Sequence, residues 1–328
     1  MATGAHEPSR VVSGALGVLR SRAAAAAEAA DPYRELLKTV GGASVVLIGE
    51  ASHGTHEFYR ERAEITRRLI VERGFAGVAV EADWPDALRV NRYLRGGDDD
   101  RDAAEALGGF KRFPTWMWRN AEVLDFVGWL RDHNDGLETR RRVGFYGLDL
   151  YSLRASVDAV IHYLSRVDPV AAERARRHYA CFDVVSDPAE YGYAVSLGLQ
   201  PSCHEAVTQE LLALRRRAAQ YVRLDGAVAE DEYFYAEQNA RVAKDAEEYY
   251  RTMLDRRVSS WNLRDRHMFE TLERLVGHLG RSRGEAKLVV WAHNSHVGNA
   301  AATEMARRGE YNIGELARAR YGSQARLV

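Results

Sequence analysis

Cysteine is nearly missing from this sequence: Cys181 and Cys203 are the only two in 328 residues. So low a density excludes a disulfide framework, and their spacing matches neither a metal site nor a Cys-X-X-Cys redox motif. Both are expected to be small core residues. Long apolar runs are missing too, since none reaches the roughly 18 residues that a membrane span requires. Nor is there an excess of one charge, with 46 Lys and Arg against 47 Asp and Glu. That balance, interspersed along the chain, gives no electrostatic footing for nucleic acid or a membrane surface as partner. Phosphate-binding and dinucleotide-binding glycine motifs are also lacking. Val11–Leu19 could pass for a signal-peptide core, but Ser13, Gly14 and Gly17 interrupt it, and Arg20 and Arg22 follow directly. The expectation is a cytoplasmic protein with a short lead.

What is present reads as an α/β enzyme with a mostly parallel sheet flanked by helices. Residues 22–40 form a helical lead, an alanine run followed by Tyr33, Leu36, Leu37 and Val40 at helical spacing. Residues 1–42 are taken as this lead and 43–328 as the α/β domain. Ser44–Ile48, Gly77–Glu81, Arg142–Asp149 and Lys287–Ala292 are apolar runs suited to strands buried on both faces. A helix over about Thr55–Arg73 joins the first two. From about residue 152 to 280 helical periodicity takes over. A chain of 328 residues exceeds the usual single-core size of about 250–300, so this stretch is expected to be a large all-helical insertion. Asp98-Asp-Asp100 reads as a solvated loop.

Leu47-Ile-Gly-Glu-Ala-Ser-His53 aligns without gaps on Val290-Trp-Ala-His-Asn-Ser-His296. Two strand ends would therefore deliver polar pairs, Glu50 with His53 and His293 with His296, to the sheet edge where ligands bind in open α/β folds. Next to a helix N-terminus, His53 is suited to accept a proton. Glu81 closes a wholly apolar strand at the same edge. Arg62 falls on the core-facing stripe of its helix with Phe58 and Ile65, where a guanidinium needs a carboxylate such as Glu50 or Glu81. Arg264 lies on another apolar stripe and is placed to reach the site. Its neighbour Asp265, three residues after Asn262, reads as a capping partner. His56 reads as a surface residue of the first helical turn.

Gly49-Glu-Ala-Ser-His-Gly54, Glu81-Ala-Asp-Trp84, Trp261-Asn-Leu-Arg-Asp-Arg266 and Trp291-Ala-His-Asn-Ser-His296 together resemble the erythromycin esterase family, from about residue 43 to the end. The resemblance implies hydrolysis of a carboxylic ester or macrolide lactone, an antibiotic-resistance activity, by activated water and without a serine nucleophile. His53 would be the base and Glu50 its orienter. Glu81, Arg62 and His293 would complete the catalytic set, with Arg62 and His293 stabilising the oxyanion. His296, Arg264 and Trp84 are expected to meet the substrate. No cofactor is certain. The alternative is a divalent metal held by Glu50, His53, Glu81, His293 and His296, since metal dependence has been argued for some members. A non-catalytic ligand-binding relative is the third reading. Family members continue past the point where this chain stops, and Ala325-Arg-Leu-Val328 reads as a strand just beginning.

Overall fold

A computed structural model describes Gly17, Ser21 and residues 31–97, 100–184, 187–224, 229–255 and 259–328. It separates into two units, residues 1–42 and 43–328. In the first, helix α1 covers Tyr33–Val40. Residues 22–30 of the expected lead helix lie outside the described residues, as do Asp98 and Asp99. Asp100 accepts both arms of the Arg89 guanidinium instead of facing solvent.

The second unit is built on five parallel strands. These are β1 (Val45–Ile48), β2 (Gly77–Asp83), β3 (Gly144–Asp149), β4 (Leu288–Trp291) and β5 (Ala325–Leu327), in the order β3-β2-β4-β1-β5. Every residue of the first four is buried, which is why they read as unbroken apolar runs. Helix α2 (His56–Arg73) joins β1 to β2, while α3 (Trp84–Arg95) and α4 (Ala121–Asp135) lie between β2 and β3. Strand β2 runs to Asp83, past the expected end at Glu81, because after a register shift Asp83 still pairs with Asp149.

Between β3 and β4 the described residues form helices joined by turns and loops, with no strand among them. The elements are α5 (Leu153–Val167), α6 (Pro169–Tyr179), α7 (Pro188–Ser196), α8 (His204–Arg216), α9 (Ala218–Leu224), α10 (Ala229–Thr252) and α11 (Ser260–Arg283). The helices from α5 to α10 enclose a core of their own that includes Leu153, Tyr163, Tyr191, Leu211 and Ala243. Helix α11 instead presents Met268, Leu272, Leu275 and Leu279 to the sheet. Where α7 crosses α10, a Cβ on Gly192 would stand 2.0 Å from the Tyr250 carbonyl oxygen, so only glycine permits that approach. The reading of Cys181 and Cys203 as unbridged core residues is corrected here. They are joined in a disulfide across the segment that carries α7. Their separation of 22 residues has no local signature, because helix packing brings them together. Beyond β4 the chain closes with α12 (Ile313–Tyr321) and β5. Among the described residues no helix is long and apolar enough to cross a membrane.

Candidate active site

Strands β1 and β4 are neighbours, and their register pairs Leu47 with Val290 and Ile48 with Trp291. The gap-free sequence match is therefore also a spatial one, with equivalent residues leaving the sheet side by side. The two turns are stitched together by the Asn294 N–H, which donates to the Glu50 carbonyl at 2.8 Å. Gly49 lets them close, since a Cβ there would lie 2.0 Å from Asn294 Oδ1.

On the β1 side, Glu50 is buried and receives His53 Nδ1 at 2.7 Å on Oε1. A carboxylate only accepts, so Nδ1 carries the hydrogen and Nε2 is left with a free lone pair. The His53 side chain is 31% exposed, which opens that nitrogen to solvent. Behind Glu50, Arg62 brings Nη2 to 3.1 Å from Oε2, too oblique for a hydrogen bond, so charge holds the pair. Arg62 is 1% exposed, and its guanidinium lies 4.4 Å from the Tyr59 ring centroid and 5.2 Å from that of Trp291. These aromatic faces offset part of the cost of burying the cation.

On the β4 side, His296 is buried and stacked on Trp261, with centroids 4.4 Å apart. Its Nδ1 donates to Asp265 at 2.9 Å, and its Nε2 stands 3.4 Å from Glu81 Oε1. Arg264 joins Glu81 to the end of β3. It donates to Asp149 through Nε and Nη2 at 2.9 and 2.6 Å, and to Glu81 Oε1 at 2.8 Å. The other Glu81 oxygen accepts the His293 backbone N–H at 2.8 Å. Burial alone would raise the Glu81 pKa, but His296, Arg264 and that backbone N–H together hold it below the ordinary carboxylate range.

Burial disfavours a charged His296, yet Asp265 and Glu81 outweigh it and raise its pKa from 6.5 to about 9. Arg264 Nη1, a cationic donor 3.0 Å from Nε2, works against the proton. Because the folded value exceeds the unfolded one, His296 stabilises the fold fully below about pH 6.5. That contribution is lost as pH rises through 9. Urea unfolding from pH 6.5 to 9.5 should show a loss of about 3 kcal/mol that His296→Gln flattens. Equal slopes in the two proteins would mean that His296 is uncharged.

A family model described as erythromycin esterase matches residues 70–328. The chain belongs to the erythromycin esterase family. The matched stretch contains Glu81, Arg264, His293 and His296, whereas Glu50, His53 and Arg62 precede it. An Escherichia coli protein named erythromycin esterase type II is 29% identical over 121 residues, which cover 37% of this chain and 26% of that protein. The aligned stretch thus spans about a quarter of that relative's length. The fold is shared with a Bacillus cereus protein of known structure at a TM-score of 0.68 and 23% identity, covering 90% of this chain and 67% of that one. A succinoglycan biosynthesis protein is similar at 0.68 and 21%, over 92% of this chain and 69% of its own. A mutant of the erythromycin esterase EreC in its open conformation follows at 0.66 and 19%, over 90% and 72%.

Within this erythromycin esterase fold several expectations change. Trp84, expected at the substrate, is 1% exposed and packs among Tyr146, Phe234 and Tyr235 in the core. His296 and Arg62, expected at the substrate and the oxyanion, are buried, at 2% and 1% exposure. His293 sits beside His53, with ring centroids 5.1 Å apart, but both of its nitrogens are engaged. Nδ1 accepts from the Ser295 N–H and Nε2 faces the Ala51 carbonyl at 3.2 Å. Asp265 is no helix cap, because Ser259 caps α11. It holds His296 and accepts the Ile313 N–H at 2.9 Å. His56 pairs with Glu122, outside the cluster.

The five proposed metal ligands do not form one shell. Glu50 with His53 and Glu81 with His296 are separate sets, each already facing an arginine, and no described group of three or more His, Cys, Asp or Glu is arranged around a common point. Gly280-Arg-Ser-Arg-Gly284 matches the nucleophile-elbow spacing of serine hydrolases. It spans the end of α11 ahead of β4, however, where an elbow needs a strand followed by a helix, and Ser282 Oγ donates to Leu279 O. Sequence reading passed over Asp149, although it ends an apolar strand just as Glu81 does. Trp116 stands in the short helical turn Thr115–Met117. It lies so close to Gly54 that a Cβ there would be 2.6 Å from its ring, and this places it beside His53.

Proposed function

We propose that the protein hydrolyses carboxylic esters or lactones of small molecules, with His53 as general base. One observation carries the reading: a half-exposed histidine has Nδ1 fixed by a buried carboxylate, and its Nε2 is open at the ligand-binding edge of the sheet. His53 Nε2 takes a proton from water as the water oxygen bonds to the ester carbonyl carbon. The tetrahedral intermediate then expels the alkoxide, which receives that proton from His53, leaving a carboxylic acid and an alcohol. Glu50 keeps the proton on Nδ1 and stabilises the imidazolium that forms. Arg62 balances Glu50 when the imidazole is neutral. His293 would polarise the carbonyl by exchanging its Ala51 contact for the substrate oxygen.

A macrolactone belongs among the test substrates because of the name of the Escherichia coli relative. A panel of macrocyclic lactones, small lactones and aryl esters, incubated with purified protein, should contain at least one compound turned over far above the buffer rate. Binding without turnover across the panel would favour a non-catalytic relative.

A further inference from the structure

At the opposite edge of the sheet, where the strands begin, a cavity of about 580 Å³ lies outside everything described above. Phe75 and Val143 floor it from just ahead of β2 and β3, together with Ile70 of α2. Its polar wall is Arg140, Arg141 and Arg283, facing Glu138 and Glu285 at the exposed rim. Elsewhere in this chain buried and part-buried arginines meet carboxylates, as Arg62, Arg174 and Arg264 do, whereas in this cavity Arg283 is half-buried and Arg140 and Arg141 are exposed. Among the described residues Arg140, Arg141 and Arg283 make no ion pair, and neither do the two glutamates. Arg283 gives Nη2 to the Arg142 carbonyl at 2.6 Å, while its Nε is buried without a hydrogen-bond partner. Burial, with Arg95 and Arg141 adding repulsion, pushes the Arg283 pKa below its ordinary value. The Arg283 Nε is sealed from the cavity, so an anion there would meet the outer nitrogens of the three guanidinium groups.

We propose that this cavity is a binding site for an organic phosphate monoester, its phosphate held by Arg140, Arg141 and Arg283 and its apolar body lying on Ile70, Phe75 and Val143. Guanidinium forks suit phosphate oxygens, and three of them match a dianion better than a monoanionic carboxylate. An apolar floor beside a few convergent polar groups is the usual form of a small-molecule pocket.

The test is calorimetric titration of the full chain with phenyl phosphate, inorganic phosphate and benzoate. Phenyl phosphate should bind saturably and more tightly than either comparison compound. Arg283→Gln also breaks a bond to the Arg142 carbonyl, so the exposed pair carries the test. Arg140→Gln with Arg141→Gln should weaken phenyl phosphate at least tenfold without moving the melting temperature, while His53→Ala should leave its affinity unchanged. Absence of saturable binding, or unchanged affinity in the double variant, overturns the site. Equal affinity for inorganic phosphate overturns the apolar contribution, and equal affinity for benzoate overturns the choice of phosphate. None of these outcomes depends on ester turnover.

Discussion

Alanine at position 53 is expected to lower ester or lactone turnover by about 10²–10⁴-fold while the protein stays folded. The size of the effect follows from the loss of the group proposed to take the water proton. The fold survives because His53 lies in a turn ahead of α2 with its side chain 31% exposed, and Glu50 keeps its Arg62 partner. Steady-state rates and melting curves on the same preparation separate the two effects. A variant that melts like wild type and keeps more than a tenth of the rate would remove His53 from the chemistry. The reverse substitution is less clean. Glu50→Gln leaves Arg62 as a buried cation without a counter-charge, so its rate loss would be mixed with unfolding.

Arg264→Met should be the most damaging single change to stability, by about 3–5 kcal/mol at neutral pH. Arg264 is the one cation bonded to both Asp149 and Glu81, which are 0% and 4% exposed. Methionine fills much of the volume but leaves His296 beside Glu81, and Arg112 3.9 Å from Asp149, as the remaining cations. Both carboxylates have pKa values held low in the intact protein, with Arg264 opposing the effect of burial in each case. In the variant the largest part of that support is gone, so protonation becomes the way to relieve the buried charge. Urea unfolding should therefore show the gap between wild type and variant narrowing from pH 7 to pH 5. A gap below about 1 kcal/mol, of the order of an exposed ion pair, would mean that the Arg264 network contributes little to the fold.

Periodicity in the sequence was enough to locate Arg62. A cation on the stripe of Phe58 and Ile65 had to point inward, and Glu50 is what it meets. The match between residues 47–53 and 290–296 also anticipated which strand ends share an edge, and the β1–β4 register realises it residue for residue. What that symmetry could not convey is how differently its two halves are buried. His53 remains open, whereas Trp261, Asp265 and Arg264 of α11 enclose its counterpart His296. Those contacts join residues about thirty apart in sequence through helix packing, which no local pattern encodes. Trp84 shows the same gap at shorter range. It follows Asp83 directly, but the chain turns from strand to helix at that peptide, and the indole swings into the core. Glu81, three residues before Trp84, stays at the edge. Motif membership alone could not tell the two apart.

The central claim is that water activated by the Glu50–His53 pair, and not by a metal, opens the ester. It is tested most directly by assaying the purified protein on the responsive member of the lactone and ester panel, with and without excess chelator, after measuring bound metal. The account predicts the same kcat/KM in both samples and no stoichiometric metal. Turnover that disappears with chelator and returns on adding a divalent ion would contradict it.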